Sequence, residues 1–168
     1  MVDPINDYRI CALPDLRVLV SKIKDEDGEV IDDMGQGMGA WADANGISRR
    51  LGVREEFAYF DEEDGMFVFL RRLPEVFTNS GPYPDRMLPG GLVAVVSGER
   101  DHLVERYNML MEWLAESDRY DVDAVAGKQR HETLVDWLTP RDIHLKFDFE
   151  QQDIIIPIRL RCHEGKRG

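Results

Sequence analysis

Two carboxylates carry the first chemical signal in this chain. Glu132 and Asp136 lie in the stretch His131-Glu132-Thr133-Leu134-Val135-Asp136-Trp137-Leu138. A Thr139-Pro140-Arg141-Asp142 turn follows, and the run ends in Asp153-Ile154-Ile155-Ile156-Pro157-Ile158. From His131 to Arg159 the pattern predicts two antiparallel strands. Successive strand residues point to opposite faces, so Glu132, Leu134, Asp136 and Leu138 share one face while Val135 and Trp137 share the other. A carboxylate among apolar neighbours is costly unless it is paired or a ligand supplies the opposite charge. The plainer reading is a strand end with both acids in water. Which reading holds depends on whether the rest of the chain turns this strand into a pocket wall.

Aromatic residues supply further candidate walls: Tyr59, Tyr83, Phe147 and Trp113. An aromatic box around a carboxylate suits a planar cation through cation–π contact. Ordinary core is the plainer role for most of these rings. Trp113 lies off the centre of its helix stripe and faces either a cleft or a flank, whereas Trp41 sits within its stripe and is expected in the core. His102, His131, His144 and His163 are scattered, without ligand spacing. Gly35-Gln36-Gly37-Met38-Gly39 lacks the preceding strand and following lysine of a phosphate loop. No metal, cofactor or catalytic residue is predicted.

The chain has 168 residues, 43% of them hydrophobic, and a formal net charge of −12. This is enough apolar material for one core. The acidity repels phosphate backbones, so direct nucleic-acid contact is not expected. Cationic or uncharged small molecules are the better partners. Cys11 and Cys162 are too sparse for a disulfide framework and are read as thiols. The first residues lack a basic and an apolar signal region, and no run has the apolar length of a membrane span. A cytoplasmic location without a membrane partner is expected. The oligomeric state is not legible.

The elements that must position these residues follow in chain order. A strand from Tyr8 to Ile23 is interrupted at Pro14-Asp15. Ile31, Met34, Met38 and Trp41 recur at helical spacing and predict a helix over about 30–45, ended by Asn45-Gly46. Phe57–Asp61 and Met66–Leu73 read as a hairpin around Glu62-Glu63-Asp64-Gly65. Residues 75–87 read as a linker by composition. Leu92–Ser97 is a strand, and Leu103, Tyr107, Leu110 and Leu114 stripe a helix over about 101–116. The halves match as strand, helix, strand, strand. Leu13-Pro14 before the first strand answers Leu88-Pro89 before the second, and each helix has one tryptophan. The chain is therefore read as one α+β domain of two duplicated β-α-β-β units with antiparallel sheet, repeats at about 7–74 and 88–161. Both helices are expected on one side of the strands, and a ligand cleft between the repeats.

The order and spacing of these pieces resemble the GyrI-like effector-binding domain. That domain occurs free-standing and as the C-terminal half of bacterial drug-responsive regulators of the MerR and AraC types. Leu13-Pro14, Tyr59-Phe60-Asp61, Gly98 and Asp153–Ile158 carry the resemblance. In that family a glutamate, with a tyrosine two residues later on the penultimate strand, meets the ligand. Counting back from Ile156-Pro157-Ile158 puts Asp136 at the glutamate position and Leu138 at the tyrosine position. The local match His131–Leu134 puts Glu132 there instead. In both alignments leucine replaces tyrosine.

The resemblance implies a module that binds a small, partly apolar molecule, cationic if the carboxylate is used, in the inter-repeat cleft. Such a module serves as the sensor of a transcription regulator, its DNA-binding segment supplied elsewhere, or as a free-standing drug-binding protein. An alternative that the family implies is hydrolysis of reactive cyclopropane-bearing compounds. A third reading is an acidic protein inhibitor of a nucleic-acid enzyme.

Overall fold

The computed structural model describes residues 8–24, 30–31, 35–47, 56–79, 81–124, 134–137, 146, 148 and 150–161. The strands are β1 (Arg9–Leu13), β2 (Leu16–Val20), β3 (Ile23–Lys24), β4 (Val30–Ile31), β5 (Glu56–Asp61), β6 (Met66–Arg72), β7 (Asp85–Leu88), β8 (Gly91–Glu99), β9 (Tyr120–Val122), β10 (Leu134–Trp137) and β11 (Gln151–Leu160). The helices are α1 (Gln36–Ala44) and α2 (Leu103–Glu116), the second preceded by a 3₁₀ turn at Arg100–His102. Eight strands follow one antiparallel path, β1-β8-β11-β10-β5-β6-β2-β7, with β9 paired to the far end of β11. The path has two four-strand halves that meet where β10 pairs β5. No described helix is long and apolar enough to cross a membrane.

The repeated Leu-Pro pairs mark the pseudo-two-fold axis. Arg9↔Val95 to Leu13↔Gly91 and Leu16↔Leu88 to Leu19↔Asp85 form a single unbroken register. β1–β2 and β7–β8 thus make one ribbon, bent where Pro14-Asp15 crosses Pro89-Gly90. Proline has no N–H for a ladder, so it suits the bend. Gly90 is required there: a Cβ would lie 2.3 Å from the Leu13 carbonyl oxygen. Its N–H donates to the Asp15 carboxylate at 2.6 Å. β1 thereby pairs into the second half-sheet, and β7, a strand at the end of the stretch read from composition as a linker, pairs into the first.

Both helices lie on the same side of the sheet, as the one-sided stripes predict. Leu110 and Leu114 of α2 pack on Ala94, Val96, Ile154, Ile156 and Ile158. Met38 and Ala42 of α1 pack on Leu19 and Leu73. The pairings Ile154↔Val135, Val135↔Ala58 and Ala58↔Phe69 link the two helix-bearing regions across one face. The other, inner face carries Val18, Val20, Phe57, Tyr59, Val68, Leu70, Val93, Val95 and Ile155, drawn from both halves into one buried cluster.

α1 is shorter than its spacing predicts. Val30 and Ile31 pair with Ile23 and Lys24 as strands instead. Gly35 then turns the chain at φ +72°, a conformation open to glycine, and the helix begins after it. Met34 lies outside the described residues. At the other end the Asn45 side chain donates to the Trp41 carbonyl at 2.8 Å, and Gly46 has φ +74°. Arg71 fastens this helix from β6. Its guanidinium donates to the carbonyls of Gly39 (3.1 Å) and Ile47 (2.7 Å) and to the Asp43 carboxylate (2.6 Å). The proline-rich stretch before β7 packs Phe77 and Tyr83 against Trp41, each with ring centroids 6.1 Å from it.

Candidate functional site

The alternation that makes the inner face apolar breaks at one end. On β11, Asp153 shares a face with the buried Ile155, two residues on. Its carboxylate side chain is 1% exposed. Burial of an ionised carboxylate demands charge and hydrogen bonds around it, and two residues distant in sequence supply them. Nη2 of Arg9, from β1, donates to both Oδ1 and Oδ2 at 2.8 Å and to Ser97 Oγ at 2.8 Å. Ser97, from β8, donates its hydroxyl to Oδ1 at 2.5 Å. The register explains why these three meet: Ser97 is directly opposite Asp153, and Arg9 is opposite Val95 on the same face.

The row continues past Asp153. Asp136 on β10 is paired with Asp153 on one side and with Phe57 on the other. Ser97, Asp153, Asp136 and Phe57 therefore occupy four successive strands at one level. Two acids stand at the centre of the sheet, where the two halves join and the polar row meets the apolar core.

Tyr59 lies two residues from Phe57 on the same face of β5 and is 7% exposed. Burial raises its phenol above the usual range, and the Arg86 guanidinium beside it works in the opposite direction. That guanidinium lies 5.8 Å from the ring centroid, a cation–π contact. Tyr59 is thus a neutral hydroxyl at the inner face.

The other residues singled out by sequence separate. Trp113 is on the helix side, half-buried between Tyr8 and Tyr120 at centroid distances of 5.3 and 6.4 Å. Tyr83 is in the cluster under α1. Neither lies on the face shared by Asp153 and Tyr59. Glu132, Leu138 and Phe147 lie outside the described residues. Arg9, Ser97 and Asp153 were not singled out. For Asp153 a signal existed, since strict alternation back from Ile155 puts it on the core face. For Arg9 and Ser97 the signal needed the pairing of β1 and β8 with β11.

No protein-family model and no curated protein matches the sequence. Solved structures do share the fold. The chain is 13% identical to a hydrolase from Listeria innocua, with a TM-score of 0.61 and 94% of each chain covered. It is 13% identical to the C-terminal domain of EcmrR, with a TM-score of 0.58, covering 90% of this chain and 96% of that one. Against EcmrR in its cryo-EM complex with DNA the identity is 14% and the TM-score 0.58, covering 92% of this chain and 59% of EcmrR. These likenesses show the fold: it is that of GyrI-like effector-binding domains, as the resemblance implied.

Proposed function

We propose that this chain binds a small, partly apolar cation at the junction of its two halves, with Asp136 as the ligand carboxylate. The observation behind this reading is the register that sets Asp136 beside the buried Asp153 on one side and beside Phe57 on the other. Two acids in one row favour a cation, and the adjoining apolar face favours an apolar body. Of the two alignments of the family motif, this reading prefers Asp136 over Glu132.

The biological role that fits is a sensor or a free-standing binding protein. Sharing a fold with a domain of EcmrR, a protein solved on DNA, supports the sensor role. With a net charge of −12, contact with DNA would fall to a segment or partner other than this acidic surface. A regulator acts beside its DNA, so the reading carries a cytoplasmic location.

A second reading is hydrolysis, favoured by the fold shared with the Listeria hydrolase and by two neighbouring carboxyls, one of which would act as general acid or base. Calorimetric titration with matched cationic and neutral aromatics, followed by analysis of the recovered ligand, separates the two. Saturable binding of the cation with the ligand intact supports the sensor. Turnover supports the hydrolase, and no preference for the cation contradicts the carboxylate role.

A further inference from the structure

The contact between Arg9 and Asp153 is unequal. The acid is 1% exposed and the arginine side chain 47% exposed. One nitrogen, Nη2, makes all three hydrogen bonds, to Oδ1, Oδ2 and Ser97 Oγ. Among the described residues, Nε and Nη1 of Arg9 have no hydrogen-bond partner. An arginine can present two parallel N–H groups to a carboxylate; this one approaches end-on and forgoes that geometry. A long side chain half in solvent also loses rotamer freedom by being held there. The buried carboxylate is thus held by a side chain that is itself half in solvent.

We infer that Arg9 is an exchangeable, built-in counter-ion: a ligand cation takes its place on Asp153, and the guanidinium moves out to solvent. This deepens the proposed function and rests on a cation binding in the same row. It also narrows the ligand. The incoming group must replace the two N–H donors that Nη2 shares among Oδ1, Oδ2 and Ser97 Oγ, so it is a protonated amine or amidine rather than a quaternary ammonium, which has charge but no donor.

The test uses benzamidinium, phenyltrimethylammonium and neutral benzamide as probes, titrated calorimetrically into the parent, Arg9→Met, Arg9→Lys and Asp136→Asn proteins. The parent should prefer benzamidinium. Arg9→Met, freed of the competitor, should bind benzamidinium about tenfold more tightly, the scale of a charge-assisted contact, with a much smaller gain for the quaternary cation and none for benzamide. Arg9→Lys keeps a charge for Asp153 but binds it as a point charge, and should gain in the same direction. It carries the test if Arg9→Met does not fold. Equal gains for both cations, no gain, or no binding of any probe to any variant overturns the inference. The two claims separate cleanly. A gain in Arg9→Met with Asp136→Asn indistinguishable from parent keeps Arg9 and removes Asp136. Loss of benzamidinium binding in Asp136→Asn without a gain in the Arg9 variants does the reverse.

Discussion

Arg71→Met should weaken the attachment of α1 to β6. The Arg71 side chain is 3% exposed; of its carboxylate partners, Asp43 at 2.6 Å is 68% exposed and Glu56 at 3.7 Å is 23% exposed. The Asp43 pair is mostly solvated and contributes little. The larger contribution comes from the carbonyls of Gly39 and Ile47, whose donor is Arg71. An orphaned buried acceptor costs about 1–3 kcal/mol, and the loss of one partner in a buried charged contact about 3–5 kcal/mol in total. With a urea m-value of about 2 kcal/mol/M, the midpoint should fall by roughly 1.5–2.5 M. Asp43→Ala should move it far less. Chemical denaturation of the three proteins, followed by circular dichroism, decides the matter. A midpoint within about 0.5 M of the parent for Arg71→Met, or equal losses for the two variants, would refute the claim that the buried carbonyls make this contact matter.

Trp41→Ala should lose less than the roughly 3–5 kcal/mol of a fully buried aromatic, because the ring is only half-buried between Phe77 and Tyr83; a thermal melt unchanged from parent would show the ring to be dispensable. Gly81→Val should destabilise as well, since a Cβ there would lie 2.2 Å from the Trp41 ring, and combining it with Trp41→Ala should relieve part of that loss. Lys22 is paired with Asp61 (2.9 Å) and with Asp64, and its hydrogen bond holds the Asp61 carboxyl below the usual range. A depressed carboxyl contributes stability above its unfolded value and loses it as pH falls, so the stability gap between parent and Lys22→Met should be full at neutral pH and close below about pH 4; a gap that is independent of pH would contradict this.

The duplication was legible because each repeat writes its own local signals. Leu13-Pro14 and Leu88-Pro89 flank the ribbon bend, and the α2 stripe of Leu110 and Leu114 is buried as its spacing predicts. Met38 and Ala42 are the buried pair on α1. The crossing of β1 and β7 between the half-sheets was not legible, because strand alternation fixes a face but not a partner, and the prolines and glycine around β7 read as a linker. The start of α1 was misplaced because apolar spacing continued through Ile31 although Gly35 had already broken the helix. The site Asp136 would build is a proposal, and only its strand position can be compared. Alternation put Leu134 and Asp136 on one face, and the register pairs them with Ile155 and Asp153 of the inner face. Arg9, 144 positions from Asp153, reaches it only through the β1-β8-β11 pairing, which no local pattern encodes.

The central claim is that Asp136 is the charge that a cationic ligand meets. Asp136→Asn is nearly isosteric and should leave the melt unchanged. Titrated with a matched pair of cationic and neutral aromatics, it should lose about 2 kcal/mol or more for the cation, roughly thirtyfold in affinity, and far less for the neutral ligand. Glu132→Gln, measured alongside, should bind both as the parent does. If Glu132→Gln instead shows the charge-selective loss, the ligand carboxylate is Glu132; if both variants bind both ligands as the parent does, neither acid lines the site and the account is wrong.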